Sequence, residues 1–179
     1  VIDYVQERCS KMAGAVAYIY FDFGKRKSQS VDKTVASLVK QLVSKLSNLP
    51  DHLSGLFDEC KSLGKGPKFN DLQVTFNTAS TQLSPTFLIF DALDEASAVV
   101  QTDLLEWIES LAKSGVRTLI TSRPHISGIL EINPMVLQIR AQRADLENYL
   151  DETLKSQRRI RSAIKNEIKE RLLENDNEM

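Results

Sequence analysis

Residues 86–96, TFLIFDALDEA, decide the fold and the function together, because an apolar run ends in three acids within five positions. Thr86 to Phe90 is short, continuously apolar after its first residue and rich in aromatic and branched side chains, which reads as a strand buried on both faces. Strands of that kind belong to parallel sheets, whose carboxyl ends open into a crevice where ligands collect and helix N-termini point inward. Asp91 stands immediately after the strand, and Asp94 and Glu95 follow in the turn. A carboxylate at Asp91 suits Mg²⁺, a hard cation that takes oxygen ligands and keeps several waters. Asp94 or Glu95 then stands where an attacking water could lose its proton, the task of a general base. An acidic turn that only caps the next helix accounts for the same spacing equally well, since negative charge suits a helix N-terminus.

Downstream, LITSRPH (residues 119–125) again sets polar residues directly after an apolar strand. If the two strands are parallel, Thr121, Ser122 and Arg123 reach the same sheet edge as the acids. An arginine there can grip a phosphate bidentately, although a lone arginine in such a place more often serves a surface ion pair. His125 lies close enough to approach the site, but a loop histidine near a helix start is more often solvated. An acid-tipped strand followed by an arginine-tipped strand resembles a nucleoside-triphosphate site with its metal and its γ-phosphate sensor.

The rest of the chain supplies the scaffold. A helix opens it through Ile2 and Val5, and AVAYIYFDF (residues 15–23) reads as a buried strand. From Val31 the period changes: Val35, Leu38, Val39, Leu42, Val43 and Leu46 form one helical face, capped near Ser30 or Asp32 and ended before Pro50. Further helices are expected over about residues 51–63, 70–83 and 102–113, the last with Trp107 on its apolar, core-facing side. Strands are expected at residues 117–122 and 135–139 (MVLQI), then two charged helices. Strands separated by helices specify the α/β class, with a parallel sheet covered by helices on both faces.

Composition narrows the function. With 179 residues and 42% apolar content the chain suffices for one ordinary domain. A net charge of −1 gives no basic field, so no nucleic-acid partner is expected. In the terminal stretch, Glu167, Glu170 and Glu174 interleave with Ile164, Ile168 and Leu172, a pattern for an ion-paired helix rather than a nucleic-acid or membrane surface. Cys9 and Cys60 read as free thiols of a reducing compartment. No apolar run approaches the ~18 residues of a membrane span, so the expected location is cytoplasmic, without membrane association.

With these segments in view, a resemblance emerges. TFLIFDALDEA resembles the Walker B segment of NACHT-type, signal-transducing P-loop ATPases: four apolar residues, Asp, a small residue, an apolar residue, then Asp-Glu. LITSRP is similar to their sensor-1 strand, and AYIYFDF resembles the strand after the P-loop helix. The nearest type is the NACHT-like domain of large fungal multidomain proteins, grouped with the N-terminal domain of nephrocystin-3-like proteins and often joined to ankyrin or WD40 repeats. The resemblance implies a three-layer P-loop NTPase core over residues 1–155 and the start of a following helical region at 156–179. It implies that Asp91 orients Mg²⁺, that Asp94 or Glu95 activates water, and that Arg123 senses the terminal phosphate of ATP. It also implies neighbouring domains in the same chain as partners, an effector upstream and repeats downstream, with homo-oligomer formation on activation.

One departure is large. The family's phosphate loop, GxxxxGK[ST], cradles phosphates with backbone N–H groups and a lysine, and nothing in the sequence matches it. GKRKSQS (24–30) and SLGKGPK (62–68) lack the spacing and lie after the strand that the loop should precede. The expectation is that the first strand and the loop are cut away ahead of Val1, which begins inside the loop's helix; a degenerate member that never had the loop is the alternative. Either way this chain alone is expected to bind ATP weakly or not at all. A non-catalytic scaffold is the first rival reading. A kinase-like or helicase-like ATPase is disfavoured, because Asp-Ala-Leu-Asp-Glu departs from the simple Asp-Glu box of helicases.

Overall fold

The computed structural model describes residues 2–12, 14–111, 114–124, 126, 128–129, 133–139, 142–157 and 160–175. The chain divides into two units, Val1–Pro134 and Met135–Met179. The first contains α1 (Ile2–Ser10), β1 (Ala15–Tyr20), α2 (Val31–Val43), α3 (Asp51–Leu63), α4 (Phe69–Gln82), β2 (Thr86–Asp91), α5 (Ala98–Leu111) and β3 (Arg117–Ile120); the second contains α6 (Arg143–Ser156) and α7 (Ser162–Asn175).

The three strands form one sheet in the order β1-β2-β3, and both pairs are parallel. The register runs from Ala15 opposite Thr86 to Tyr20 opposite Asp91, and from Phe87 opposite Arg117 to Phe90 opposite Ile120. Alternation along the strands divides the side chains between two faces. Ala15, Ala17, Leu88 and Phe90 join the main core with Val35 and Leu38 of α2, Phe76 of α4 and Leu104 of α5. Val16 and Ile89 turn the other way and pack with Cys9, Ile2 and Val5 of α1. Helices therefore cover both faces, and the fold is the expected α/β layering. In the main core Phe76 meets Trp107 edge to face with ring centroids 5.0 Å apart, the geometry that aromatic quadrupoles favour.

Local signals set the helix ends. Ser30 caps α2 by accepting the Lys33 N–H at 3.4 Å, and Gly64, with φ 59°, ends α3 in the left-handed conformation that glycine adopts without strain. Between α1 and β1 the chain passes so close to Pro85 that a Cβ on Gly14 would lie 2.5 Å from the Pro85 carbonyl oxygen. Only glycine fits where Ala15 N–H reaches that carbonyl at 3.0 Å.

The outer edge of β1 is closed by a side chain. Gln41 of α2 accepts the Tyr18 N–H at 3.0 Å and donates to the Tyr18 carbonyl at 2.9 Å. Its amide thus takes the place of one residue of a neighbouring strand. In the second unit, Lys169 of α7 pairs with Asp151 of α6 at 2.6 Å, and that hydrogen bond holds the Asp151 carboxyl below its ordinary value. Glu167 and Arg171 pair along α7 at 2.9 Å, as the interleaved charges suggest.

The structure corrects several expectations. Residues 135–139 form no strand: Met135 is 99% and Ile139 85% exposed, and the segment carries no regular structure. Its branched and apolar residues supply β-propensity, but a strand exists only where another backbone pairs with it. β1 stops at Tyr20 rather than Phe23, because the Asp22 carboxylate accepts the Gly24 N–H at 2.8 Å and starts a single 3₁₀ turn over Phe23–Lys25. β3 stops at Ile120. α5 begins at Ala98, earlier than expected, where Ser97 Oγ accepts the Val100 N–H at 3.4 Å.

Gln41→Ala removes both hydrogen bonds to Tyr18 and leaves a half-buried backbone N–H and C=O without partners, a cost of about 1–2 kcal/mol. A lower urea midpoint at unchanged slope is the expected result, with Gln41→Glu, which keeps the acceptor and loses the donor, falling between; an unchanged midpoint would show that water serves this edge equally well.

Candidate functional site

The carboxyl ends of β2 and β3 lie side by side, and the chain ties them together just beyond the last ladder pair. Thr121 N–H donates to the Phe90 carbonyl at 2.9 Å, and the Thr121 carbonyl accepts the Leu93 N–H at 3.0 Å. Its hydroxyl donates to Asp91 Oδ1 at 2.5 Å and accepts the Ala92 N–H at 2.9 Å. One residue therefore meets Asp91, Ala92 and Leu93. Asp91 Oδ2 takes no hydrogen bond among the described residues and is the oxygen left for a cation.

The turn after Asp91 is sharp. Ala92 has φ 55° and ψ 48°, a left-handed conformation that costs a residue with a Cβ about 1–2 kcal/mol. The two hydrogen bonds from Ala92 and Leu93 to Thr121 offset that cost, and a methyl is the smallest side chain after glycine to bear it. A 3₁₀ turn follows over Leu93–Glu95, with Leu93 fully buried as its anchor.

This turn distributes the remaining acids. The Asp94 side chain is only 7% exposed, and both of its oxygens face Arg123: Oδ1 accepts the Arg123 backbone N–H at 3.2 Å and Oδ2 lies 3.3 Å from Nε. Arg123 is 71% exposed, so solvent screens the ion pair and the backbone bond gives it direction. Gln101 of α5 donates to the Ala96 carbonyl at 2.9 Å and to the Asp94 carbonyl at 3.3 Å. Glu95 Oε2 accepts the Phe23 N–H at 3.0 Å, which joins the exit of β1 to the same turn. Phe23, Arg26, Asp94, Glu95, Gln101 and Arg123 line a cavity of about 480 Å³.

All four residues singled out from sequence thus sit at one sheet edge, with Asp94, Glu95 and Arg123 around the cavity and Asp91 joined to Thr121 beside it. Sequence reasoning did not foresee that Asp94 would be taken up by Arg123, nor the contact from Glu95 to Phe23. The role of Thr121 was legible only in part: its place at the strand end was read, but its contact with Asp91 follows from the register. Nothing in the spacing signalled Gln101. His125 lies outside the described residues. Among those described, no three His, Cys, Asp or Glu side chains converge as a metal cluster, so a cation here would depend on one carboxylate and on oxygens from elsewhere, as Mg²⁺ sites at phosphates commonly do. Asp91 fits that donor type.

The family model described as nephrocystin 3, N-terminal, matches residues 1–123, from the first helix to the arginine after β3. No curated protein and no solved structure matches the chain.

Thr121→Val keeps the volume but removes the hydroxyl from Asp91 and Ala92, so unfolding stability should fall by about 1–3 kcal/mol while Thr121→Ser stays near the parent. Equal stability of the valine and serine variants would show that the hydroxyl bonds do not hold the turn. Asp94→Asn, which retains an acceptor but no charge, should cost less than Asp94→Ala, and equal losses would assign the contact to packing alone.

Proposed function

Because this chain belongs to the nephrocystin 3, N-terminal family, we propose that it is the nucleotide-switch core of a NACHT-like, signal-transducing ATPase. The observation that carries the reading is the pairing of an acid-tipped β2 with an arginine-tipped β3 at one carboxyl edge of a parallel sheet. In open α/β sheets that edge is where ligands lie. Asp91, with one oxygen held by Thr121 and the other free, is the residue that would hold Mg²⁺. Arg123 would meet the terminal phosphate, which would compete with Asp94 for the guanidinium. Of the two acids after Asp91, Glu95 is better placed to take a proton from water, because both Asp94 oxygens are engaged by Arg123.

ATP and Mg²⁺ would supply the charge and the hydrolysable bond; the chain's own part is to position and to neutralise. Phosphoryl-transfer catalysis is almost entirely such positioning, much of it by a glycine loop and its lysine. No GxxxxGK[ST] occurs in these residues, so residues 1–179 by themselves should bind Mg-ATP weakly or not at all. In the complete protein, nucleotide binding would bias the arrangement of neighbouring effector and repeat domains in a cytoplasmic signalling assembly and favour homo-oligomers. The second reading, a non-catalytic scaffold on the same fold, is favoured by one feature: Asp94 and Glu95 both spend hydrogen bonds on the protein itself.

Reading the transcript in frame ahead of the Val1 codon tests the proposal. A strand followed by GxxxxGK[ST] is the expected result, and in that longer protein Asp91→Ala should abolish Mg-ATP hydrolysis while Glu95→Gln lowers turnover more than Asp94→Asn. A frame without the loop, or hydrolysis indifferent to Asp91, would put the scaffold reading first.

A further inference from the structure

Arg26 stands among carboxylates and pairs with none of them. It follows the 3₁₀ turn Phe23–Lys25 at the exit of β1, and its backbone N–H donates to the Phe23 carbonyl at 3.2 Å. Its guanidinium lies over the Phe23 ring, 5.7 Å from the centroid. Main chain and side chain of Arg26 are therefore both held by Phe23. Asp94 and Glu95 share with it the cavity at the strand ends, and Asp32, Asp103 and Glu106 stand in a neighbouring cavity that Arg26 also borders. Among the described residues none of these acids forms an ion pair with Arg26.

A ring beneath a guanidinium fixes its position but takes up neither its charge nor its N–H donors, which point outward in the guanidinium plane. The other cations of this edge are differently placed. Lys25 pairs with Asp22 at 3.7 Å, and Arg123 with Asp94 at 3.3 Å. Of the two guanidiniums that line the strand-end cavity, Arg26 is thus the one whose charge is unpaired among the described residues. The turn that carries it is also tied to the acids, because Glu95 Oε2 accepts the Phe23 N–H at 3.0 Å. Through its N–H and its ring, Phe23 joins the acidic turn after β2 to the guanidinium at the exit of β1.

We propose that Arg26 is a second phosphate-binding arginine of this cavity, positioned by Phe23, a role that rests on the nucleotide reading of the site and narrows its ligand to a polyphosphate. Two guanidiniums on different strand exits suit a chain of phosphoryl groups better than a single phosphate, since each planar fork can grip oxygens of a different group. Asp94 and Glu95 face the same ligand, and Mg²⁺ carried with the polyphosphate would offset their charge.

Both arginines belong to the present chain, so the test needs no phosphate loop. The probe is magnesium tripolyphosphate, titrated at millimolar concentrations into the 179-residue chain and followed by NMR at the arginine Nε–H groups, with Arg26→Lys and Arg123→Lys assigning the two signals. Both signals should shift along one saturable curve. Arg26→Ala should weaken binding about tenfold, and Arg26→Lys, which keeps the charge but not the fork, should weaken it less. Phe23→Leu, which keeps the backbone N–H but removes the ring, should cost about threefold, and the urea midpoint should stay at the parent value in each variant. A titration that shifts Arg123 but not Arg26, or an Arg26→Ala chain that binds as the parent does, overturns this role and leaves the nucleotide reading standing. Silence at both arginines overturns the role together with the phosphate contact assigned to Arg123. An equal shift of Arg26 in sodium chloride of the same ionic strength is screening alone and overturns the role too.

Discussion

The hydroxyl of Thr121 is the point on which the rest of the site depends. It is shared between the Asp91 carboxylate and the Ala92 N–H, at 2.5 and 2.9 Å, and so it joins the end of one parallel strand to the turn of the next. Without that bond Ala92 would have less reason to adopt its left-handed conformation, and the turn that presents Asp94 and Glu95 would lose its aim. The second tie, from Asp94 to the backbone and side chain of Arg123, depends on the first, because the turn must form before Asp94 can face β3. Acids that would repel one another in a free loop are thereby sent to three partners: Thr121, Arg123 and the Phe23 N–H. Hydrogen bonding to each carboxylate relieves the repulsion that the sequence pattern implies.

The sheet that supports this arrangement is asymmetric. Gln41 closes the outer edge of β1, whereas among the described residues no strand pairs with the far edge of β3. α2, α4 and α5 bury one face in a continuous core, while α1 covers the other mainly over β1. Tyr20 and Leu119 on that second face remain 58% and 41% exposed. Burial is greatest along the centre, at Leu88 and Phe90 of β2, which have no exposed surface. Asp91 follows directly from that buried strand, so the core places its backbone and Thr121 orients its carboxylate.

Much of this was legible in the sequence because buried parallel strands announce themselves. The run from Thr86 to Phe90 had to be central, and the helical period from Val35 to Leu42 had to face it. The positions of Asp91 and Arg123 followed from the rule that ligand edges lie at strand carboxyl ends. What was not legible depended on contacts between distant segments. Residues 135–139 have the composition of a strand, but whether a backbone lies alongside is decided elsewhere in the molecule. The pairing of Glu95 with Phe23 spans 72 positions, and its donor is a backbone N–H, which every residue but proline possesses. Asp94 was read as a possible base because spacing shows charge but not occupancy.

Amide hydrogen exchange at Ala92, Leu93, Thr121 and Arg123 tests the central claim most directly, since all four lie in turns or just past strand ends. The account predicts that their N–H groups are protected and exchange together, through the same opening that exposes Phe90. Exchange of Ala92 and Arg123 at the rate of free loop amides, with Phe90 still protected, would show that the strand exits are not held together and would contradict it.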